Sequence, residues 1–460
     1  MDISNYKRVH FIGIGGISMS GLAEILCARG VLVSGSDTTP SALTHRLSGL
    51  GIELYIGQRT ENITPDIGLV VYTAAVGGDN PELAAALTMG LNVIDRAQLL
   101  GLLMDEYAYA VCVAGTHGKT TTTSMVAEIF IKAGLDPTVS VGGILPSIGG
   151  NIRLGSSEYF IAEACEYRDS FLKFNPYIGI VLNMGLEHVD YFKDVEQLAG
   201  SFRKFAQNIH PEGTLVINVE IPNLSAVTQG IGRQIMTFGI KDADLHTQRI
   251  GFDGNGCAGF EPVYKGRVMP RMQLRVPGEH NISDALAAMA AAICLKVDPA
   301  HIYSALESYG GTHRRFQIRG RCNGAIVVDD YAHHPTEIKA SLAAAKRRKH
   351  SKIWCIFQPH TYSRTHELLS EIAEAFIDAD EVIVVDIYAS RETDTGLIHS
   401  RDLAERISAV GTSCRYISGF GNVEKFLRDK AMPNDMLITM GAGDVNLVAD
   451  ALADESYSLY

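Results

Sequence analysis

Apolar residues in this chain occur in short continuous runs, separated by stretches in which apolar positions recur at helical spacing. The runs predict buried strands and the stretches between them predict helices, an alternation typical of mainly parallel sheets. We therefore predict an α/β fold. After a first strand that ends before Gly13, the predicted strands lie at residues 31–34, 69–72, 91–94, 108–113, 159–162, 178–182, 325–328, 353–357 and 382–386.

The length of the chain predicts several domains, because 460 residues exceed what one hydrophobic core normally organises. We expect three, at residues 1–107, 108–311 and 312–460: a Rossmann-like domain, a central α/β domain and a second Rossmann-like domain. Residues 240–275 are rich in glycine and alternate apolar with polar positions, which predicts antiparallel strands. An alanine-rich helix is expected to follow them, and at its start Asn281 could either cap the helix or hydrogen-bond an adenine edge.

A glycine-rich turn between the strand at 108–113 and a helical pattern has the composition of a phosphate-binding loop. Gly115 and Gly118 allow successive backbone N–H groups to face one anion at the start of a helix. Lys119 adds positive charge, and the Thr120 hydroxyl suits Mg²⁺. The expected nucleotide-binding residues are Gly115, Thr116, His117, Gly118, Lys119, Thr120 and Thr121. The purely structural alternative is a threonine-rich helix N-cap with a solvated lysine.

A second glycine-rich turn follows the first predicted strand and is typical of dinucleotide-binding folds. It contains Gly13, Gly15, Gly16 and Ser18, and Asp37 follows the next strand at the spacing where such folds present a carboxylate to a ribose. Turns of this type serve NAD, FAD or UDP-sugars, or bind nothing. The motif alone therefore leaves the ligand open.

In the central domain, Glu163, Asn183 and His188 each follow a predicted strand. Ligands collect where the carboxyl ends of parallel strands meet, so these side chains are expected to face phosphates held by Lys119. A carboxylate and an imidazole opposite Thr120 suit a divalent cation next to ATP, although Mg²⁺ prefers oxygen ligands.

Three predicted strands of the third domain also end in polar clusters. Such clusters at consecutive strand ends predict a binding edge. The first cluster contains His333 and His334, whose side chains diverge in an extended backbone and need not share one metal ion. We expect one of them to bind a substrate anion and the other to pack.

Composition and charge exclude several classes of protein. The apolar runs are shorter than the roughly 18 residues that would span a bilayer, and a net charge of −12 argues against a surface that coats nucleic acid. Eight scattered cysteines without a Cys-x-x-Cys pair are typical of a reducing cytoplasm. We expect small-molecule partners, no nucleic acid, no membrane insertion, and a cytoplasmic monomer or weak homodimer.

Taken in order, these motifs resemble those of the Mur ligase family. The resemblance rests on HFIGIGGISMSGLAEIL near the start, AGTHGKTTTTSM, DNPE at 79–82, PGEHNISDALAA from 277, RRFQ at 314–317, DDYAHHPTE from 329 and FQPHTYSRT from 357. It implies a three-domain, ATP-dependent ligase that joins a carboxylate to an amine through an acyl phosphate. FQPHTYSRT is closer to members that add L-alanine to UDP-N-acetylmuramate, whereas DDYAHHPTE is shared with ligases that recycle a tripeptide.

The resemblance also implies roles for individual residues. The first-domain turn and Asp37 would hold the UDP moiety. The residues expected at ATP or Mg²⁺ are Lys119, Thr120, Glu163, His188, Asn281, Arg315 and Asp330. The residues expected at the muramoyl carboxylate and the incoming alanine are Tyr331, His333 and Arg364. Either His188 or His333 would accept the proton of the attacking amine.

The chain departs from the family pattern at several positions. Cys165 and Arg168 replace aspartates, Glu187 replaces an aspartate before the histidine, Thr361 replaces a frequent arginine, and Ser18 replaces a glycine. A non-catalytic nucleotide sensor is therefore one alternative. An NAD-dependent oxidoreductase is another, suggested by the first glycine-rich turn, but it leaves the phosphate-binding loop and the third domain unexplained.

Overall fold

A computed structural model of the chain describes residues 3–73, 76–185, 191–390 and 392–453. The chain divides into two compact units: unit 1 is Met1–His246 with Asp284–Leu306, and unit 2 is Thr247–Ser283 with Glu307–Tyr460. Helices alternate with strands of mostly parallel sheets, so the predicted α/β fold is confirmed. The domain borders at residues 107 and 311 remain predictions.

Unit 1 begins with a sheet of parallel strands. The strands are β1 (Arg8–Ile12), β2 (Leu32–Asp37), β3 (Glu53–Ile56), β4 (Leu69–Tyr72) and β5 (Asn92–Asp95), and the helices are α1 (Ile17–Ala28), α2 (Ala42–Gly49), α3 (Pro81–Thr88) and α4 (Arg96–Met104). Hydrogen bonding orders the strands β3-β2-β1-β4-β5, so their carboxyl ends share one edge. Val9, Phe11, Leu69 and Val71 are fully buried, because parallel strands are covered on both faces.

A second sheet of unit 1 packs into the same hydrophobic core. Its strands, in the order β12-β11-β10-β6-β9-β7-β8, are β6 (Tyr109–Ala114), β7 (Thr138–Leu145), β8 (Gly150–Arg153), β9 (Tyr159–Ala164), β10 (Ile178–Val181), β11 (Thr214–Asn218) and β12 (Gln234–Phe238). β8 runs antiparallel to β7. The helices are α5 (Lys119–Lys132), α6 (Val195–Gln207), α7 (Ser225–Thr228), α8 (His280–Cys294), which enters unit 1 at Asp284, and α9 (Pro299–Ser308).

Unit 2 contains the antiparallel strands that the alternating pattern predicts. They are β14 (Cys257–Tyr264), β15 (Arg267–Val268) and β16 (Met272–Pro277). β13 (Leu245–Phe252), which begins in unit 1, is hydrogen-bonded to β14 and pairs in parallel with β12 at Leu245. β14 pairs antiparallel with both β15 and β16. Arg347 attaches this segment to the rest of unit 2, because its guanidinium lies 2.7 Å from Glu279 and 3.8 Å from the centre of the Phe252 ring.

The remaining sheet of unit 2 is parallel except at one edge. Its strands, in the order β17-β18-β22-β19-β20-β21, are β17 (Gln317–Cys322), β18 (Ala325–Asp330), β19 (Ile353–Phe357), β20 (Glu381–Val384), β21 (Ser413–Tyr416) and β22 (Met436–Met440). β17 is the antiparallel strand. The helices are α10 (Pro335–Lys346), α11 (Tyr362–Glu367), α12 (Leu369–Glu374), α13 (Ser400–Ala409), α14 (Phe420–Lys430) and α15 (Asn446–Leu452).

Side chains at the start of several helices accept hydrogen bonds from the first helical turn. The Asn80 side chain accepts hydrogen bonds from the first turn of α3, ahead of Pro81. Asp95 and Gln98 form a reciprocal capping box at α4. Short 3₁₀ helices in the described ranges are Ile3–Asn5, Thr60–Asn62, Pro146–Ile148 and Tyr167–Lys173. In those ranges, no helix combines the length and the apolar character that crossing a membrane requires.

Three local predictions were wrong. Glu163 lies inside β9 and not after it, because β9 stays paired with β6 up to Ala164. Asp330 is likewise the last residue of β18, paired in register with β22. Asn281 is in the first turn of α8 and does not cap it, since its amide donates to the carbonyl of Pro277 at 2.7 Å.

Two helical glycines provide a matched test of packing in unit 1. A Cβ on Gly101 of α4 would overlap the backbone carbonyl of Lys173, whereas a Cβ on Gly200 of α6 would meet nothing within 4 Å. We expect Gly101→Ala to lower the free energy of unfolding by about 1–3 kcal/mol. Gly200→Ala should raise it by about 0.5–1 kcal/mol, because alanine favours helix. Urea unfolding measures both, and equal shifts would contradict the packing described here.

Candidate active site

The phosphate-binding loop connects β6 to α5 and depends on two glycines with unusual backbone angles. Gly115 has φ +146° and Gly118 has φ +81°, a region that residues with a side chain rarely adopt. A Cβ on Gly118 would also approach the Asp284 carboxylate at 2.5 Å. Backbone and space therefore both require glycine at residue 118, the residue that precedes α5.

Residues after β10 hold this loop in place. Asn183 accepts a hydrogen bond from the His117 N–H at 2.8 Å and donates to the His117 carbonyl at 3.0 Å. Gly185 makes a similar pair of bonds with the Thr116 hydroxyl, at 2.8 and 3.0 Å. The sequence predicts that Asn183 faces phosphate, but in the structure its amide supports the loop backbone. The sequence feature that could have indicated this role is the position of Asn183, a polar residue just after a strand that neighbours β6.

The side chain of Lys119 lies within its own loop and against a buried carboxylate. Its ammonium group donates to the carbonyls of Gly115 and Thr116 at 2.5 and 3.0 Å, and it lies 3.1 Å from Glu166. Glu166 is only 1% exposed. A buried charge is tolerated when it is paired, so the two groups stabilise each other. Sequence reasoning gave Glu166 no role, because 47 residues separate it from Lys119.

Oxygen atoms that suit Mg²⁺ lie close to this loop. Thr120 is the second residue of α5, and Glu163 lies on β9, the strand next to β6. One Glu163 oxygen accepts a hydrogen bond from the Gly142 N–H at 2.7 Å. The described residues contain no group of three or more His, Cys, Asp or Glu side chains arranged for a metal. A hydroxyl and one carboxylate nevertheless fit Mg²⁺, which usually takes its other ligands from phosphate and water.

One predicted site residue and one departure from the family pattern lie outside the described residues. The site residue is His188, expected at the metal and as a proton acceptor, and the departure is Glu187. Cys165 and Arg168, the other departures on this side of the site, are described. Burial raises the pKa of the Cys165 thiol, which therefore stays protonated. The Arg168 guanidinium lies 5.3 Å from the centre of the Tyr167 ring.

The first-domain turn is shaped by the end of β2. The Gly13 and Ile14 N–H groups both donate to the Ser36 carbonyl at 2.9 Å, and the Gly15 N–H donates to the Asp37 carboxylate at 2.8 Å. Gly16 then precedes α1, and Ser18 lies in its first turn. Asp37 was predicted to contact a ribose, and in the structure its carboxylate holds the turn itself.

The site residues of unit 2 gather around Tyr331. The guanidinium groups of Arg314 and Arg315 lie 5.1 and 5.2 Å from the centre of its ring, and His333 packs against it edge-on at 5.7 Å. Arg315 also lies 3.9 Å from Glu337, a residue of α10. This cluster presents cationic groups next to aromatic ones, an arrangement suited to anionic ligands.

His333 and His334 have different surroundings. His333 contacts the Tyr331 carbonyl at 3.0 Å and Glu337 at 3.4 Å, and burial lowers the pKa of its imidazole. His334 instead precedes α10, where its ring nitrogen accepts a hydrogen bond from the Thr336 N–H at 3.4 Å. Of the pair, only His333 belongs to the cluster around Tyr331.

A second histidine, His360, joins this cluster without having been predicted. Its ring centre lies 5.7 Å from that of His333, and the ring stacks on Tyr388 at 5.8 Å. Burial, together with His333 and Arg364, lowers its pKa to about 4. Thr361 follows with φ +65°, a strained backbone angle for a β-branched residue, and begins the helix that carries Arg364. The motif QPHTYSRT contains His360, but its contacts with His333 and Tyr388 join residues that follow three different strands.

Asp330 and Asn281, the residues expected at ribose and adenine, also belong to unit 2. Asp330 accepts hydrogen bonds from the Ser341 hydroxyl at 2.6 Å and the Ala332 N–H at 2.9 Å. Burial nevertheless raises its pKa to about 6. Asn281 lies beside His280, with its amide nitrogen 3.3 Å from the Nε2 atom of that imidazole.

These features define an α/β protein with a glycine-rich loop before α5 and a second glycine-rich turn before α1. Family models match along the chain: Mur ligase family, catalytic domain, at residues 8–108; Mur ligase middle domain at 113–292; and Mur ligase, glutamate ligase domain, at 314–443. These matches cover most of the chain, which therefore belongs to the Mur ligase family. Membership accounts for the Lys119 loop and the third domain, which the oxidoreductase alternative left unexplained.

Individual relatives are similar over nearly the whole chain. The UDP-N-acetylmuramate--L-alanine ligase of Acetivibrio thermocellus is 50% identical over 452 residues, covering 98% of this chain and 96% of that protein. The ligase of the same name from Clostridium tetani is 47% identical, covering 96% and 97%. The crystal structure of the UDP-N-acetylmuramate-alanine ligase MurC from Thermotoga maritima is 30% identical and superposes with a TM-score of 0.82, covering 96% of this chain and 97% of that one.

The raised pKa of Asp330 predicts a pH-dependent effect on stability. The folded state binds the carboxyl proton of Asp330 more tightly than the unfolded chain does. The stability that this protonation contributes is therefore present below pH 4 and is lost as pH rises through about 6. Asp330→Asn should therefore gain stability over the wild type, of the order of 2 kcal/mol, as pH rises from 4 to 7. Urea unfolding at several pH values measures this gain. The control is Glu371→Gln, an exposed carboxylate of α12, and an identical pH profile for both variants would contradict the prediction.

Proposed function

We propose that this protein uses ATP to join L-alanine to the lactyl carboxylate of UDP-N-acetylmuramate, releasing ADP and phosphate. Its similarity to UDP-N-acetylmuramate--L-alanine ligases over nearly the whole chain carries this proposal. The phosphate-binding loop supports the use of ATP. The reaction supplies a precursor of peptidoglycan, the polymer of the bacterial cell wall.

The chemical problem is to join a carboxylate to an amine in water, which requires a better leaving group than oxide. In the proposed first step, the lactyl carboxylate attacks the γ-phosphate of ATP, the bond from that phosphorus to the bridging oxygen breaks, and an acyl phosphate and ADP result. Lys119 and Arg315 stabilise the negative charge on the transferring phosphoryl group. To do so, Lys119 exchanges its carbonyl contacts for phosphate oxygens while Glu166 keeps the ammonium group in place.

Mg²⁺ is the metal that this donor set favours. Thr120 and Glu163 would hold it, with His188 as the third residue expected there. When bound, the ion neutralises charge on the ATP phosphates and orients them.

In the second step, the amine of L-alanine attacks the acyl carbon and phosphate leaves. The amine must lose a proton, and His333 is suited to accept it because its lowered pKa keeps the imidazole neutral. His188 is the alternative acceptor. Tyr331 and Arg364 would orient the alanine carboxylate, and Asn281 and Asp330 would hold adenine and ribose.

A phosphate-release assay tests the function directly. ATP and UDP-N-acetylmuramate are supplied with L-alanine, glycine, L-serine or the recycling tripeptide, each with and without Mg²⁺. We expect release that requires both L-alanine and Mg²⁺. Release with tripeptide alone would assign the chain to the recycling ligases, and no release with any acceptor would favour a nucleotide sensor. Sedimentation of the same preparation tests the proposed monomer or weak homodimer.

Replacing the loop lysine tests the first chemical step. Lys119→Ala should lower kcat roughly 10²- to 10³-fold, because it removes a charged donor from the transferring phosphoryl group. Lys132→Ala is the control, since Lys132 is exposed at the other end of α5 and should leave kcat unchanged. Near-normal phosphate release from Lys119→Ala would remove Lys119 from the mechanism.

A further inference from the structure

The first domain contains a buried carboxylate that the reaction described above does not use. Glu82 is fully buried at the start of α3. One of its oxygens accepts a hydrogen bond from the Ser36 hydroxyl at 2.5 Å. The other accepts from the Asn62 amide at 2.5 Å and from the Arg59 N–H at 3.4 Å. The imidazole of His10 lies 3.7 Å away.

The hydrogen bonds to Glu82 keep it charged. Burial raises the pKa of this carboxyl, but hydrogen bonding with His10, Ser36 and Asn62 outweighs burial, so the pKa lies below its usual range. An ionised carboxylate only accepts hydrogen bonds, so each partner must turn a donor toward it. Glu82 therefore fixes the orientation of every group that contacts it.

The groups that contact Glu82 come from several strands and loops of the first sheet. Ser36 is near the end of β2, Arg59 and Asn62 follow β3, and Glu82 itself follows β4. All of these strands are parallel to β1, so their carboxyl ends lie at the edge that carries the turn from Gly13 to Gly16. Glu82 joins the loops that surround the expected UDP site.

Arg59 is the cationic residue of the loop that Glu82 holds. Its side chain is exposed and folds over Gly57, since a Cβ on Gly57 would lie 3.6 Å from its Nε atom. The Gly57 N–H donates to the Asp37 carbonyl at 2.8 Å, and the Asp37 carboxylate accepts from the Gly15 N–H. A series of direct contacts thus connects Arg59 to the glycine-rich turn. Within the described ranges, no side chain or carbonyl accepts a hydrogen bond from its guanidinium.

We propose that Arg59 binds the diphosphate of the UDP-linked substrate and that Glu82 positions the loop that carries Arg59. The inference rests on the proposed function, because it requires a UDP moiety on the first-domain turn. A guanidinium presents paired donors that match a diphosphate, and its charge offsets that of Asp37 beside the turn. The end of β3 lies about 10 Å from that of β1, two strand spacings away, which the long arginine side chain helps to span.

Binding and kinetics of Arg59→Ala test the first half of this proposal. We expect the Kd for UDP and the KM for UDP-N-acetylmuramate to rise together, roughly tenfold to hundredfold, as a charge-assisted contact is lost. The kcat and the KM for ATP should not change. Lys7→Ala is the control, because Lys7 is an exposed cation that precedes β1 at the opposite edge of the sheet. Equal UDP affinities for Arg59→Ala and Lys7→Ala would overturn the assignment.

The role of Glu82 is tested by combining substitutions. Glu82→Gln should raise the KM for UDP-N-acetylmuramate several-fold without changing the KM for ATP, and it should add little in an Arg59→Ala background. If Glu82→Gln raised the KM for UDP-N-acetylmuramate as much in the Arg59→Ala background as in the wild type, Glu82 would not act through Arg59. Asn62→Ala provides a second route if Glu82→Gln does not fold, because the Asn62 amide bonds both Glu82 and the Gly57 carbonyl. It should raise the same KM, and no change there would overturn the positioning role.

Failure of this proposal is distinguishable from failure of the proposed function. If the wild type binds UDP but shows no turnover dependent on L-alanine, the proposed function is wrong and the UDP affinity of Arg59→Ala still decides the inference. If the wild type binds neither UDP nor UDP-N-acetylmuramate, both are overturned.

Discussion

Parallel strand pairing is the constraint on which the chemistry of this protein depends. In unit 1, β6 lies between β9 and β10, with Val113 opposite Glu163 and Ala114 opposite Val181. Because these strands run in one direction, the loop that follows β6 lies next to the residues that follow β9 and β10. Glu166 and Asn183 reach that loop from positions 47 and 66 residues away in sequence. The sheet edge thus assembles a site that no single segment contains.

Buried carboxylates organise this protein in two different ways. Glu82 interacts with several hydrogen-bonding groups, which lower its pKa and make it a fixed negative charge around which loops are oriented. For Asp330, burial outweighs its hydrogen bonds with Ser341 and Ala332, and its pKa rises to about 6. The number and strength of hydrogen bonds therefore decide whether a buried acid serves as a permanent anion or as a group that exchanges a proton near neutral pH.

The sequence predicted features whose causes are local. The glycine-rich turn before α5 and most strands were predicted because contiguous residues determine them. The roles of Glu166 and His360 were missed, because their partners are distant in the chain and only the order of strands brings them together. Polar residues at the ends of β9 and β18 were mistaken for strand terminators. Hydrogen bonds to the neighbouring strands extend β9 and β18 through these polar residues. The intrinsic strand propensities of the polar residues do not indicate this extension.

The division of the chain into units has a consequence for its synthesis on the ribosome. Residues 247–283 belong to unit 2, but their partners Glu307 and Arg347 emerge later. At roughly 5–20 residues per second, the remainder of unit 2 takes on the order of ten to forty seconds to appear. During that time, β14 can pair with β13 and β16, but the later helices and strands that complete their unit are absent. β16 alternates buried with exposed residues, and the polar side chains at its exposed positions oppose association with other chains during this interval.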